Sequence, residues 1–176
     1  EFIEEEELKK IDGFLDIYSN DDDSVFFLKL DKEDLNEKFI YFSYVMNAPQ
    51  GSTLTGGFPS DGKVYEFRSF KKDKIGLYQI NTSYIKGDET NNIARSSITN
   101  ITEAFVEVFK PAARTEDSVL INLNSIILSE KMDSISYVPS EYREYISVDY
   151  GRPDEAKTFV KNIYNNKTNT AFEVTF

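Results

Sequence analysis

The sequence contains neither histidine nor cysteine among its 176 residues. Imidazole and thiolate side chains build the usual zinc sites, cysteine nucleophiles, serine–histidine pairs and disulfides, so none of these can form within this chain. Carboxylate, lysine, tyrosine and serine chemistry remains, together with calcium or magnesium bound through oxygen ligands. We therefore predict no catalytic residue, no cofactor-binding residue and no metal ligand in this chain.

Positive charge is also scarce, because 20 Lys and Arg residues face 31 Asp and Glu residues and the formal net charge is −11. Such a surface repels phosphate backbones, so we expect no nucleic-acid partner. No apolar run approaches the ~20 residues that a membrane-spanning helix needs, and residues 1–7 do not resemble a signal peptide. The lack of cysteine suits the cytosol and suits an exported protein without disulfides equally well.

Length and composition fit one globular unit. Apolar residues make up 40 % of the chain and charged residues 29 %, which is ordinary for a folded domain. The prediction is a single β-rich domain over residues 1–176. Because the sequence closes in the middle of a strand-like run, we expect it to be truncated from a longer multidomain polypeptide.

Phenylalanine and tyrosine supply 14 % of the residues and occur with β-branched residues in short runs between turn residues. This pattern is typical of strands. It predicts an α+β fold that is mostly β, with antiparallel sheets of about eight or nine strands. The clearest hairpins join residues 13–18 to 25–30, and residues 64–70 to 75–80.

Two further runs predict elements between these hairpins and the C-terminus. Residues 39–46 are apolar at nearly every position, as in a central strand covered on both faces. Residues 119–128 predict a strand that pairs with a strand at residues 105–109. The final run, from Ala171 to Phe176, predicts a last strand.

One segment has helical periodicity. Apolar residues recur there every three or four positions and lie on one helix face: Ile93, Ala94, Ile98, Ile101 and Ala104. This spacing predicts one main helix near residues 90–104.

Residues 47–62 collect Gly, Pro, Ser and Thr over more residues than a connection in a compact domain usually takes. Long loops of this kind often carry binding residues. We interpret this loop as the best loop candidate for a contact surface.

Three patterns have a chemical interpretation beside a structural one. Asp21–Asp23 could supply oxygen ligands to calcium, but consecutive acids cannot all point inward, which favours a solvated hairpin tip. Ser69 with Lys72, and Ser83 with Lys86, have a serine–lysine spacing that works on a helix, whereas strand residues three apart face opposite ways. Glu141 and Glu144 could form a carboxylate pair, with solvated charge as the default.

Several segments, taken in order, resemble one protein family. They are residues 11–18, residues 30–42 with Leu35 before the strand Phe39-Ile40, residues 64–68, residues 102–105, residues 119–123, residues 157–159 and residues 172–176. This order is similar to the N-terminal domain of unknown function that precedes the catalytic domain in exported bacterial zinc-dependent metalloproteases of the His-Glu-x-x-His class. The resemblance spans nearly the whole chain.

The resemblance implies a non-catalytic accessory role. The domain would pack beside the downstream catalytic domain of the same polypeptide and help to shape the cleft for a peptide or protein substrate. Zinc is then expected only in that downstream domain, and the protein is expected to be exported: periplasmic, associated with the outer membrane, or secreted. The alternative is a free-standing exported binding module that uses loop 47–62.

Overall fold

The structure is a computed structural model that describes residues 2–47, 57, 59–82, 103–132, 154 and 156–176. Eleven strands lie in this part of the chain. They are β1 (Lys9–Ile11), β2 (Asp16–Ser19), β3 (Phe26–Asp31), β4 (Lys38–Tyr41), β5 (Lys63–Phe70), β6 (Lys74–Ile80), β7 (Ala104–Phe109), β8 (Ala113–Arg114), β9 (Ser118–Asn122), β10 (Phe159–Asn165) and β11 (Thr170–Thr175). The described helices are short: α1 (Phe2–Glu5), α2 (Asn124–Ile127) and a 3-10 turn at Lys32–Asp34.

The strands form three antiparallel sheets. A five-stranded sheet has the order β1-β2-β3-β9-β8, a four-stranded sheet has the order β4-β5-β6-β7, and β10 pairs with β11. The prediction of a mostly β fold with antiparallel sheets is confirmed, and both predicted hairpins form. The predicted strand number is wrong, because the described residues alone hold sheets of five, four and two strands.

The predicted main helix falls largely on residues 83–102, which lie outside the described residues. Its last predicted position, Ala104, begins strand β7 instead. The strand predicted at residues 105–109 is confirmed within β7.

The five-stranded sheet turns one face towards the core because its apolar residues alternate. Phe26, Leu28 and Leu30 of β3 are buried on that face, and Leu28 lies between Ile17 of β2 and Ile121 of β9. The other face carries Lys29, which pairs with Asp31 at 2.8 Å, together with the buried side chains of Phe27 and Leu120.

The four-stranded sheet contributes the other half of the same core. Tyr65, Phe67, Ile75 and Leu77 are buried, and they belong to one hydrophobic cluster with the inward residues of the five-stranded sheet. The rings of Phe67 and Phe109 lie 6.1 Å apart within this cluster. Burial of this apolar surface, at about 25 cal/mol per Å², is the main stabilising contribution to the fold.

Two predicted strands are corrected by this topology. Residues 39–46 are not a central strand, because β4 stops at Tyr41 and lies at the edge of the four-stranded sheet. The run from residue 119 to residue 128 is a strand only as far as Asn122, and β9 pairs with β3 and β8 rather than with β7. Strand pairing over long sequence separations depends on which apolar faces fit together, and short apolar runs do not encode this choice.

The C-terminal hairpin of β10 and β11 packs against the first sheet. Val160, Ile163 and Phe172 contact the core, and the ring of Phe172 meets that of Phe26 edge to face, 5.9 Å between centroids. The strand predicted at residues 171–176 is confirmed up to Thr175.

Candidate interaction surface

The most unusual surface feature is a row of exposed apolar side chains along β4 and its continuation. Ile40, Phe42, Tyr44 and Met46 are 74 %, 58 %, 55 % and 53 % exposed. These exposed residues alternate with the less exposed Tyr41, Ser43 and Val45, so the four form one stripe. We name them the β4 stripe.

The register places the β4 stripe on the outer face of the four-stranded sheet. Phe39 and Tyr41 stack on or contact Tyr65 in the core, while Ile40 lies opposite Val64 on the other face. The residues between the stripe positions therefore anchor the strand, and the stripe positions are left facing solvent.

Among the described residues, no strand pairs with one side of the stripe's backbone. Ser43 accepts a hydrogen bond from the Ser60 amide at 2.6 Å, and Val45 accepts one from the Gly57 amide at 2.6 Å. An antiparallel strand directs alternate residues to alternate sides, so Phe42 and Tyr44 direct their N–H and C=O groups away from this neighbour. The edge thus combines apolar side chains with backbone groups that can pair.

The loop predicted as a contact surface, residues 47–62, directly follows this edge in the chain. Its described ends, Asn47 and residues 59–62, flank the isolated bridge between Tyr44 and Pro59, and the Ser43 amide donates to Ser60 Oγ at 2.8 Å. Residues 48–56 and 58 lie outside the described residues. This bridge and these hydrogen bonds hold the ends of loop 47–62 beside the β4 stripe.

The other outer edges of the two larger sheets carry features that oppose strand pairing. Lys9 and Lys10 of β1 are exposed and pair with Asp21 and Asp16 at 2.7 and 2.8 Å. Strand β8 has two residues, and β7 is interrupted by an irregular register opposite Leu77 and Tyr78. In β4 the stripe positions carry no charge, no proline and no bulge of their own.

The same outer face carries a charged and aromatic cluster further along the sheet. The Arg68 guanidinium donates to Glu66 and Glu103 and lies 4.8 Å from the centroid of the Tyr78 ring. The side-chain hydrogen bonds to Glu66 and then Glu103 raise the pKa of Arg68 above its ordinary value, so the guanidinium stays charged. Since Glu66 is buried, this cluster is a paired structural network.

Three aromatic rings, those of Phe70, Tyr78 and Phe105, pack together beside this network. Phe105 lies 5.0 Å from Phe70 and 4.9 Å from Tyr78 between centroids. Gly76 allows this packing, because a Cβ there would lie 2.8 Å from the Tyr78 ring and 2.9 Å from the Phe105 ring. Phe105 is nonetheless exposed, which extends the apolar surface of the outer face.

A third patch lies on the outer side of the C-terminal hairpin. Phe159 and Tyr164 are exposed there, on either side of Glu173. Glu173 accepts hydrogen bonds from Lys161 at 2.8 Å and Asn162 at 2.6 Å, and these bonds lower its pKa below the ordinary value. The patch joins aromatic rings to a local ion pair.

The chemical candidates of the sequence do not come together. Ser69 lies in β5 and Lys72 in the turn that follows, so the helical spacing of a serine–lysine pair is not formed. At the tip of the first hairpin, Asp21 forms an ion pair with Lys9, while Asp22 accepts a hydrogen bond from the Ser24 hydroxyl at 2.7 Å.

These bonds fit the solvated hairpin tip. The remaining candidates, Ser83 with Lys86 and Glu141 with Glu144, lie outside the described residues. Within the part of the chain that the structure describes, no group of acidic residues could hold a metal ion.

Tyr65 is a buried titratable residue of the same sheet. Burial, followed by the influence of Tyr41, raises the pKa of its hydroxyl to about 12. The hydroxyl therefore stays protonated at neutral pH.

Sequence reasoning missed the β4 stripe. A run that is apolar on nearly every position fits a covered central strand and fits an edge strand with one face in the core and one face open. Only the strands with which the run pairs distinguish these two arrangements, and that pairing depends on the tertiary structure.

No helix in the described ranges is long and apolar enough to cross a membrane. Comparisons with protein-family models, curated proteins and solved structures gave no match to this chain.

Proposed function

We propose that this chain is a non-catalytic accessory domain that works by contact with other protein surfaces. The observation that carries this proposal is the amount of apolar surface that stays exposed beside a buried hydrophobic core. Four apolar side chains of the β4 stripe and the rings of Phe159 and Tyr164 are all more than half exposed. Contiguous exposed apolar groups on a folded domain are typical of interaction sites.

The resemblance described above suggests the partner. In this proposal, the partner is the catalytic domain of a zinc-dependent metalloprotease, a hydrolase, in the same exported bacterial polypeptide. The catalytic domain holds the zinc and the His-Glu-x-x-His motif, and this chain helps to shape the cleft for a peptide or protein substrate.

We place the contact with the catalytic domain on the outer side of the C-terminal hairpin. Phe159 and Tyr164 supply the apolar area, and the Lys161–Glu173 pair supplies a polar rim. Aromatic residues at the centre of a contact with charged residues around it are the usual arrangement of protein interfaces.

The test identifies the natural polypeptide that contains this chain. Proteins from the source cells are separated by mass, and tryptic peptides of this chain are located by mass spectrometry. We expect them in a longer polypeptide that also yields a His-Glu-x-x-His peptide and retains zinc after dialysis. A natural polypeptide without that motif would refute the accessory role.

The surface assignment has its own test in that longer polypeptide. Phe159→Glu is expected to lower its peptidase activity and the cooperativity of its unfolding, because an unpaired charge would enter the contact. The control is Phe14→Glu, since Phe14 is exposed to the same degree as Phe159, 54 %. Equal effects of both variants would contradict the assignment.

A second function is favoured by one observation, the position of loop 47–62 at the base of the β4 stripe. A free-standing exported binding module would use this loop and the stripe together as its contact surface. The same mass-spectrometric experiment separates the two functions, because the module requires a natural polypeptide that holds no catalytic motif.

A further inference from the structure

We propose that two copies of this chain pair through their β4 edges, antiparallel and around a two-fold axis at Ser43. The pairing joins two four-stranded sheets into one continuous sheet of eight strands. This inference concerns the β4 stripe and is independent of the contact assigned to the C-terminal hairpin.

The stripe is self-complementary in this register. With Ser43 opposite the partner's Ser43, Phe42 lies opposite the partner's Tyr44, and Ile40 lies opposite the partner's Met46. Every apolar side chain of the stripe then faces an apolar side chain of the other copy. An axis at Phe42 would leave Met46 opposite the partner's Lys38, so the Ser43 axis is the better match.

The backbone supports the same register. Ser43 directs its N–H and C=O to Ser60, so two Ser43 residues meet as a non-hydrogen-bonded pair. Phe42 and Tyr44 direct their backbone groups outward, and these groups can exchange hydrogen bonds between the two copies. Side chains and backbone thus select one arrangement.

The charge of the edge indicates which partner strand can pair with it without removing a charged group from water. Residues 39–47 carry no ionisable acid or base except tyrosine, so pairing two copies buries no ion pair and no unpaired ion. The net charge of −11 on each copy opposes association at long range. Salt screens this repulsion, and we expect the dimer to become tighter as the salt concentration rises.

Sedimentation equilibrium of the full chain over a range of protein concentrations tests the dimer. We expect a monomer–dimer equilibrium whose dissociation constant falls when NaCl is raised from low to physiological concentration and above. Phe42→Glu is expected to raise the dissociation constant at least tenfold, because a charge on a paired edge opposes strand addition. Phe159→Glu is the matched control and should leave the constant unchanged.

The absence of cysteine allows a direct test of the register. Cα atoms of a non-hydrogen-bonded antiparallel pair lie about 4.5 Å apart, within the range that a disulfide spans. Ser43→Cys should therefore yield a disulfide-linked dimer in a glutathione redox buffer. Phe159→Cys, at a position elsewhere that is more exposed than Ser43, should stay monomeric under the same conditions.

Each result has a defined meaning. Strict monomers at all concentrations and salt levels would overturn the proposal. A dimer that Phe42→Glu leaves intact would do the same, because it would use another surface. Equal cross-linking of Ser43→Cys and Phe159→Cys would overturn the register, and none of these results bears on the catalytic partner of the C-terminal hairpin.

Discussion

At the scale of single residues, one amide side chain fastens the C-terminal hairpin to the start of the fold. Asn165 Nδ2 donates to the carbonyls of Ile11 and Leu15, both at 2.7 Å. Its Oδ1 accepts from the Leu15 amide at 3.3 Å and the Thr170 hydroxyl at 2.6 Å. These hydrogen bonds of an uncharged amide join residues about 150 positions apart in sequence.

Replacing Asn165 by Ala should lower the free energy of unfolding by about 1–3 kcal/mol, because backbone groups of residues 11–15 lose their partners. The control is Asn166→Ala, since the neighbouring Asn166 is exposed and its hydrogen bonds within the described ranges stay in its own turn, at Asn169. Urea denaturation of both variants measures the difference. If the two lose the same stability, the Asn165 contacts do not fasten the hairpin.

A glycine makes this contact possible. A Cβ built on Gly13 would lie 2.3 Å from both Cγ and the backbone oxygen of Asn165, and backbone cannot move aside as a flexible side chain can. Gly13→Ala should therefore destabilise the chain by about 1–3 kcal/mol through overpacking.

Gly62→Ala is the control for Gly13→Ala, because its nearest neighbour, Ile40 Cγ2, is 3.9 Å from the added atom. Alanine lowers the conformational entropy of the unfolded chain. Gly62→Ala should therefore leave the free energy of unfolding unchanged or raise it by up to about 1 kcal/mol. Thermal unfolding of the two variants gives the comparison. A neutral Gly13→Ala would mean that the hairpin packs less closely than described.

At the scale of elements, the sequence was informative where neighbours in sequence are neighbours in space. The β2–β3 and β5–β6 hairpins follow from alternating apolar runs joined by short polar turns, and both form. The placement of β4 and β9 was not accessible, because their pairing depends on packing between distant segments. The β4 stripe, as a consequence of that placement, could not be predicted either.

The charged network on the outer face of the four-stranded sheet makes an element-scale prediction. In Arg68→Met, the buried Glu66 loses its cation, and we expect a loss of about 1–3 kcal/mol at pH 7, reduced from the fully buried case because Arg68 is partly exposed.

Urea denaturation at pH 7 tests this, with Arg114→Met as the control because Arg114 is exposed in β8. The double variant Glu66→Gln with Arg68→Met should recover part of the stability. If the double variant recovers no stability, the loss in Arg68→Met comes from lost packing on Tyr78 rather than from lost charge pairing.

The C-terminal hairpin has a titration that can be followed directly. Lys161 and Asn162 hold the pKa of Glu173 below its ordinary value, so its ionised form favours the folded state above the unfolded pKa. This contribution disappears as the pH falls through the folded pKa. Lys161→Met should raise the pKa of Glu173 in an NMR titration, whereas Lys167→Met, in the exposed hairpin turn, should not move it.

At the scale of the whole molecule, composition anticipates a folded, acidic, mostly β chain, and the described sheets agree with it. The sheets share one core because their alternating apolar faces oppose each other. Function follows less directly, because a binding surface consists of residues left exposed by packing, and exposure is a property of the completed fold. The metalloprotease context therefore stays a proposal.

The last prediction concerns zinc in the isolated chain and in the longer polypeptide. Without imidazole or thiolate, the chain has only carboxylate and other oxygen ligands for zinc, and structural or catalytic zinc sites normally use nitrogen or sulfur. We expect the purified chain to lose zinc on dialysis and to leave peptides intact. The polypeptide that carries the catalytic motif should retain about one zinc ion per chain and lose its peptidase activity with a chelator. Elemental analysis after dialysis and a peptide-cleavage assay, run on both proteins in parallel, make the comparison. Stoichiometric zinc with chelator-sensitive cleavage by the isolated chain would show that it holds a catalytic centre of its own, and the accessory role would be wrong.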